Sequence, residues 1–318
     1  MKALFSALLV ALLAAPAFAQ MKVGVIASST GPTAFVGIPQ KNTVPLLPTR
    51  IGDVSVEYIY YDDASDATQT VQFVKRFLAE HKVDAFIGRT GSPNAMAVLP
   101  FIADSGTPML APVGTPAVVL PMDEQKRWVF KTTQNDGLIA DALIAHMKKN
   151  GVKTLGFIGY NDPYGESWLK EITAQAKSAG INLVAVERYQ RTDQSVGGQA
   201  IKLVSAKPDA ILIAGTGGPA VLPHTTLVDL GYKGRIYQTH GVATNDFIKI
   251  GGAKVEGTLM AGGPMLVADD LPAKNPIKAV AQGYIRAYEG RYGAGTMSTF
   301  GANTYDAGLL LQKAIPLA

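Results

Sequence analysis

The 318-residue sequence has no cysteine, four histidines, two tryptophans and only 17% charged residues. Without cysteine, disulfide staples, thiolate nucleophiles and thiolate-bound metal are excluded together. The histidines, His81, His146, His224 and His240, show no metal-ligand spacing, and no glycine-x-serine-x-glycine elbow presents a nucleophilic serine. His81 and His146 fall on helical stretches and read as surface residues, while His240 ends an apolar run, where either a core position or ligand contact suits it. The pair Asp62-Asp63 follows a strand and precedes Asp66, so turn and capping chemistry accounts for it without an acid–base dyad. These absences predict no metal, no cofactor and no enzymatic chemistry.

What is present begins with an address. Lys2 precedes the apolar run Ala3 to Ala15, and Ala17-Phe18-Ala19 supplies small residues for cleavage, which predicts a signal peptide over residues 1–19 and a periplasmic mature chain. No later stretch reaches the roughly 20 apolar residues of a membrane helix, so no membrane insertion of the mature chain is predicted. At 47% hydrophobic, the chain is long enough to bury two cores without covalent help. The net charge of +4 falls to +3 once Lys2 leaves, with 28 basic residues against 25 acidic ones. These charges are interspersed, which predicts a solvated surface and no nucleic-acid partner.

Short β-rich runs alternate with amphipathic stretches, the rhythm of parallel sheets in an α/β fold. The first series of strands is predicted at Lys22 to Ala27, Ser55 to Tyr60, Asp84 to Ile87, Pro108 to Leu110 and Trp128 to Lys131. A second series is predicted at Thr154 to Ile158, Asn182 to Glu187, Asp209 to Ile213, Arg235 to Gln238 and Gly257 to Ala261. Two series imply two doubly wound lobes joined near Thr132 to Asn135. Val71, Val74, Phe77 and Leu78 give one helix an apolar face. Asp66 and Asp193 read as N-caps, and Gly151 and Gly180 as helix stops. Further helices are predicted from about Asn275 to Tyr292 and from Ala302. The last stretch, from Ala307, reads as a buried helix without a clear cap, and the natural chain is expected to continue.

In open parallel sheets, ligands sit beyond the carboxyl ends of the strands. The loops at those ends are Ser28 to Phe35, Arg89 to Asn94, Pro112 to Pro116, Tyr160 to Glu166, Gly215 to Ala220 and Gln238 to Ala243. Ser92 and Thr115 offer hydroxyls, and Gly91 and Gly114 open the backbone to close approach, the makings of a carboxylate clamp, although ordinary turn chemistry uses the same residues. Gly215 to Ala220, with Gly217 at its centre, also fits the glycine-x-glycine-x-x-alanine fingerprint of dinucleotide sites. The acidic ribose partner about 20 positions on is missing, which disfavours an oxidoreductase.

Five motifs in order, Gly31-Pro-x-Ala34, Tyr61-Asp-Asp-x-x-Asp66, Phe157 to Glu166, Gln238 to Ala243 and Ser298-Thr-Phe-Gly301, resemble the branched-chain amino acid receptor family of type I periplasmic binding proteins. The resemblance runs from about Met21 to the end. It implies a ligand cleft between two hinged lobes, residues 20–133 plus 264–318 and residues 134–263, with a final crossover and return in family members beyond this chain's last residue. It also implies that Ser92 holds a ligand carboxylate with Gly114 and Thr115, and that Tyr164 belongs to the second lobe's first loop. Asp136, Thr216 and His240 stand where the family places the aspartate, tyrosine and glutamate that hold an ammonium, and only the aspartate is kept.

That departure points to a ligand without an ammonium. Relatives with the His-Gly-Val-Ala loop resemble receptors for aromatic acids, so Phe35, Val36 and Tyr164 are expected to line a ring pocket, with Gly217 among the contacts. The expected protein is a monomeric extracytoplasmic receptor that hands a small carboxylate to an ABC transporter permease. The competing readings are an exported ligand sensor and, more distantly, a dinucleotide-dependent oxidoreductase.

Overall fold

Residues 20–317 are described by a computed structural model, and the expected signal peptide lies outside the described residues. The first lobe is built on β1 (Gln20–Ile26), a hairpin strand β2 (Arg50–Ile51), β3 (Val54–Tyr61), β4 (Ala85–Gly88), β5 (Met109–Ala111) and β6 (Val129–Lys131). The second is built on β7 (Thr154–Tyr160), β8 (Asn182–Tyr189), β9 (Ala210–Ala214), β10 (Arg235–Gln238) and β11 (Leu259–Met260). Between and around them run α1 (Ala34–Thr43), α2 (Ala67–Arg76), α3 (Ser92–Ser105), α4 (Asp136–Lys149), α5 (Pro163–Ala179), α6 (Gly197–Ser205), α7 (Val221–Asp229), α8 (Asn245–Gly251), α9 (Lys278–Tyr292) and α10 (Thr299–Ala314).

The strand orders are β2-β3-β1-β4-β5-β6 and β11-β10-β9-β7-β8, parallel except for β2. With the β2 hairpin set aside, both sheets have the same order, 2-1-3-4-5 in chain sequence, so each has a switch point beside its first strand. The burial explains why the central strands carry no polar face: all five residues of β9 are buried, as are all four of β4. Such strands are covered by helices on both sides. In the first lobe, Phe77, Phe86, Val98 and Ile102 pack on one side of the sheet, and Val23, Val25, Ile87 and Leu311 on the other. In the second lobe, Leu143 and Met147 of α4 share one core with Trp168, Ile172 and Ala176 of α5.

Local chemistry sets most of the element ends. Asp66 caps α2 by accepting from Gln69 N at 2.9 Å, and Gly180 ends α5 at a left-handed φ of 72°. Asp193, read from sequence as a cap, is not one: its carboxylate accepts from Gln190 N at 2.8 Å, and α6 starts four residues later at Gly197. The helix expected from Asn275 starts at Lys278, because Pro276 holds Asn275 out of helical geometry and Asn275 Oδ1 accepts from Ile277 N instead. The strand expected over Gly257 to Ala261 shrinks to Leu259–Met260, and at its start Gly257 sits at a left-handed φ of 79° outside the strand.

A cleft pocket at the two switch points

Loops from both sheets meet over one small pocket between the lobes. Its walls come from the segments after β1 (Thr33, Val36), β4 (Thr90 to Ser92), β5 (Pro112 to Gly114) and β6 (Thr133) on one side, and after β7 (Tyr164), β8 (Arg191), β9 (Thr216) and β10 (His240, Gly241) on the other, with Phe300 of α10 completing it. Every wall residue but Phe300 therefore lies past the carboxyl end of a strand, and both switch points contribute. The cavity volume is about 40 Å³. A benzene-sized guest takes a cavity of about 150 Å³, so the pocket in this conformation is smaller than an aromatic ring requires.

On the first-lobe side, Ser92 opens the 14-residue helix α3, whose N-terminal N–H groups favour an anion. Ser92 Oγ is buried and has no hydrogen-bond partner, and Thr133 Oγ1 is in the same state. Thr90 is committed elsewhere: its hydroxyl donates to Gln40 Oε1 at 2.5 Å and accepts from Ser28 N at 2.8 Å. Thr115 caps the turn behind it by accepting from Ala117 N at 3.2 Å. Behind this wall, Arg89 is fully buried, with its guanidinium 4.8 Å from the Phe86 ring centroid and none of its three nitrogens hydrogen-bonded. Desolvation lowers its pKa to about 9 against the pull of Asp63, so it stays cationic at neutral pH.

The pair Asp62-Asp63 does more than turn the chain. Asp63 accepts from Ser65 N at 3.2 Å as a turn residue should, but also from Ser28 Oγ at 2.5 Å, Thr70 Oγ1 at 2.6 Å and Asn94 Nδ2 at 2.8 Å. It thereby ties the loops after β1, β3 and β4 together behind the pocket wall, which the network reaches where Ser28 N donates to Thr90 Oγ1. His81, read as a surface residue, is half-buried with a 2.7 Å contact from Nε2 to Tyr61 OH, whereas His146 is exposed.

The other side is set by α5. Asp162 caps it by accepting from Tyr164 N at 2.8 Å, which turns Tyr164 into the wall, where its hydroxyl pairs with Thr239 Oγ1 at 2.7 Å. His240 is 8% exposed and packs 5.8 Å from the Trp168 ring, with Nδ1 buried and unpartnered. Burial, reinforced by the nearby Lys131 charge, lowers its pKa to about 4, so at neutral pH it is an uncharged imidazole.

Asp136 lies one layer behind. It is fully buried, its Oδ2 accepts from Ser167 Oγ at 2.8 Å, and its Oδ1 has no partner. Burial pushes its pKa well up from the usual carboxylate range, opposed by Ser167 and Lys131. Lys131 Nζ donates to the carbonyls of Gly114 and Thr115. Gly114 has to be glycine, because a Cβ there would come within 2.4 Å of Asp136 Oδ1 and 3.1 Å of His240 Nε2.

Among the sequence-derived candidates, Val36, Ser92, Gly114, Tyr164, Thr216 and His240 line the pocket, and Thr115 and Asp136 stand behind its walls. Phe35 and Gly217 meet each other beside it: a Cβ on Gly217, at φ 48°, would fall 2.0 Å from the Phe35 ring, so the ring of α1 rests on the bare backbone of the second lobe. Sequence reasoning missed Arg191, Thr133 and Phe300. Arg191 follows β8 and so obeys the same post-strand rule, but the six loops named from the sequence do not include the one after β8. Phe300 lies in the Ser298-Thr-Phe-Gly301 motif without having been given a role.

Two doubly wound lobes with a shared pocket at both switch points define a two-lobed α/β ligand trap. The chain belongs to the periplasmic binding protein family, whose model matches residues 20–318. It is similar to an extracellular ligand-binding receptor from Rhodopseudomonas palustris HaA2, with a TM-score of 0.91 and 41% identity over 94% of this chain and 83% of that one. It is also 24% identical over 253 residues to the Leu/Ile/Val-binding protein homolog 3 of Brucella melitensis, covering 77% of this chain and 68% of the relative. The fold is shared, at a TM-score of 0.80 and 19% identity over 93% of this chain and 80% of the other, with an ABC transporter solute-binding protein from R. palustris BisB5 in complex with 3,4-dihydroxybenzoic acid. The family is one of solute-binding receptors, and no helix among the described residues is long and apolar enough to cross a membrane.

Proposed function

We propose that the protein is a non-enzymatic extracytoplasmic receptor that binds a small carboxylate, an aromatic acid in preference to a branched-chain amino acid, and delivers it to the permease of an ABC transporter. In this reading the lobes are residues 20–133 with 264–318 and residues 134–263, and the mature chain works in the periplasm as a monomer. The observation that carries the ligand class is a second-lobe wall that presents a neutral imidazole at His240 and the cation of Arg191, with no carboxylate among its lining residues. An α-ammonium is held best by anionic partners; a neutral imidazole stands where the resemblance places a glutamate, the Thr216 hydroxyl already accepts from the Arg191 cation, and burial disfavours the charge on Asp136. A carboxylate, by contrast, suits the unpartnered Ser92 Oγ, the N-terminus of α3 and the buried cation Arg89. The dinucleotide reading is disfavoured by what covers its glycines: Phe35 lies against Gly217, and the Tyr189 hydroxyl against Gly215.

Native mass spectrometry of the freshly purified protein, followed by calorimetry against aromatic acids, aliphatic diacids, leucine and valine, tests this. An aromatic acid is expected to bind more tightly than either amino acid. His240→Glu adds a carboxylate where a neutral donor stood and is expected to weaken that acid roughly tenfold to a hundredfold, the scale of one charge-assisted hydrogen bond. His146→Glu, on the exposed face of α4, is expected to change nothing. Tighter binding of leucine or valine than of every aromatic acid would overturn the ligand class.

A further inference from the structure

Arg191 enters the pocket from the end of β8 as a restrained side chain. Its guanidinium carbon stands 4.0 Å from the Tyr160 ring centroid and 5.9 Å from that of Tyr164. Nε donates to Asp162 Oδ2 at 2.7 Å, and Nη1 donates to Thr216 Oγ1 at 3.2 Å. The groups that hold it are held in turn. Asp162 also caps α5, and the Tyr160 hydroxyl donates to Thr216 O at 3.1 Å and accepts from Thr216 N at 3.0 Å.

A guanidinium carries five donors in one plane, so these two bonds leave three on a side chain that is 15% exposed and lines the pocket. Stacked on a ring and tethered along one edge, the group has little rotamer freedom left to lose. Its remaining donors therefore meet a planar oxygen acceptor at low entropic cost. Nothing nearby competes for them from the wall itself: the Tyr164 hydroxyl is engaged with Thr239, and His240 is uncharged. On the opposite wall stand Ser92 Oγ and the N-terminus of α3, a second set of donors. A guest with an acceptor at only one end would leave one of the two sets unmatched.

We infer that Arg191 is a specificity-determining residue that receives a second oxygen acceptor, a carboxylate or a phenolic oxygen, at the end of the ligand opposite the carboxylate held by the first lobe. This rests on the carboxylate-receptor reading above and narrows it to acids with acceptors at both ends. It also assigns a direction to the bound molecule, with one end on each lobe.

Calorimetry with benzoate, 4-hydroxybenzoate and terephthalate on the native protein, Arg191→Gln and Arg191→Lys tests the inference. The native protein is expected to prefer one or both of the two-ended acids over benzoate by roughly tenfold or more, and Arg191→Gln to remove most of that preference by weakening the two-ended acids several-fold more than benzoate. Arg191→Lys, which keeps a cation beside Asp162 but loses the planar fork, is expected to retain part of the preference. It serves as the readout should the glutamine variant fail to fold by circular dichroism. Loss confined to terephthalate identifies a carboxylate as the acceptor, and loss confined to 4-hydroxybenzoate identifies a phenolic oxygen. Equal weakening of all three acids, or no native preference, overturns the role of Arg191 alone. Failure of every acid to bind the folded native protein overturns the carboxylate reading and the inference with it.

Discussion

Asp63 gathers donors from Ser28, 35 residues before it, and from Asn94, 31 residues after it, and faces the buried, unpartnered Arg89. Replacing it by asparagine removes the charge opposite Arg89 and turns a donor group toward hydroxyls that already donate. Breaking one side of such a buried arrangement costs on the order of 3–5 kcal/mol, so Asp63→Asn is expected to lower the urea midpoint markedly, whereas Asp62→Asn, at a partly exposed position, should lower it far less. The turn made by Asp63 was legible in the sequence because its partner Ser65 lies two residues away. Its burial was not, since that depends on segments brought together only by the sheet. Arg191 failed to stand out for a related reason: nothing local reports that Tyr160 and Asp162 will be waiting for it.

Helix α5 shows how one element supplies both core and site. Tyr164, Trp168, Ile172 and Ala176 recur every four residues and are all buried, which gives the helix a single apolar stripe against the sheet. The same spacing puts the Tyr164 ring at the pocket and the Trp168 ring behind His240. Trp168→Ala is expected to cost about 3–5 kcal/mol, as truncation of a large core aromatic does, and Trp168→Phe substantially less, both read from denaturant unfolding. Elements of this kind were the legible part of the sequence. Strand positions in both lobes followed from hydrophobic runs, and the α2 and α5 ends from an Asp cap and a glycine stop. The misreadings fell where a short-range signal had a rival: Asp193 satisfies a turn N–H before any helix begins, and Gly257 adopts a positive φ inside an otherwise strand-like run.

At the level of the whole molecule, acid should act through buried histidines. His240 and His224 are both held near a pKa of about 4 by burial, below the unfolded value of about 6.5. A depressed folded pKa means that their contribution to stability is complete above pH 6.5 and is lost as pH falls through 4. The loss is roughly 2–3 kcal/mol for each by pH 4. The native protein is accordingly expected to lose stability steeply between pH 6.5 and 4, and the double variant His224→Gln/His240→Gln to lose less over the same interval, measured by urea titration at each pH. An identical slope in both would contradict neutral burial of the two imidazoles.

The contact of the Phe35 ring with the backbone at Gly217 joins one lobe to the other beside the pocket. In a receptor that closes on its ligand, a contact of that kind would act on residence time more than on the rate of capture. In the receptor role proposed above, the strength of this clasp would set how much work a recipient has to do to open it. A side chain at 217 would collide with the Phe35 ring and so would weaken retention, and a stronger clasp would turn such a carrier into a store.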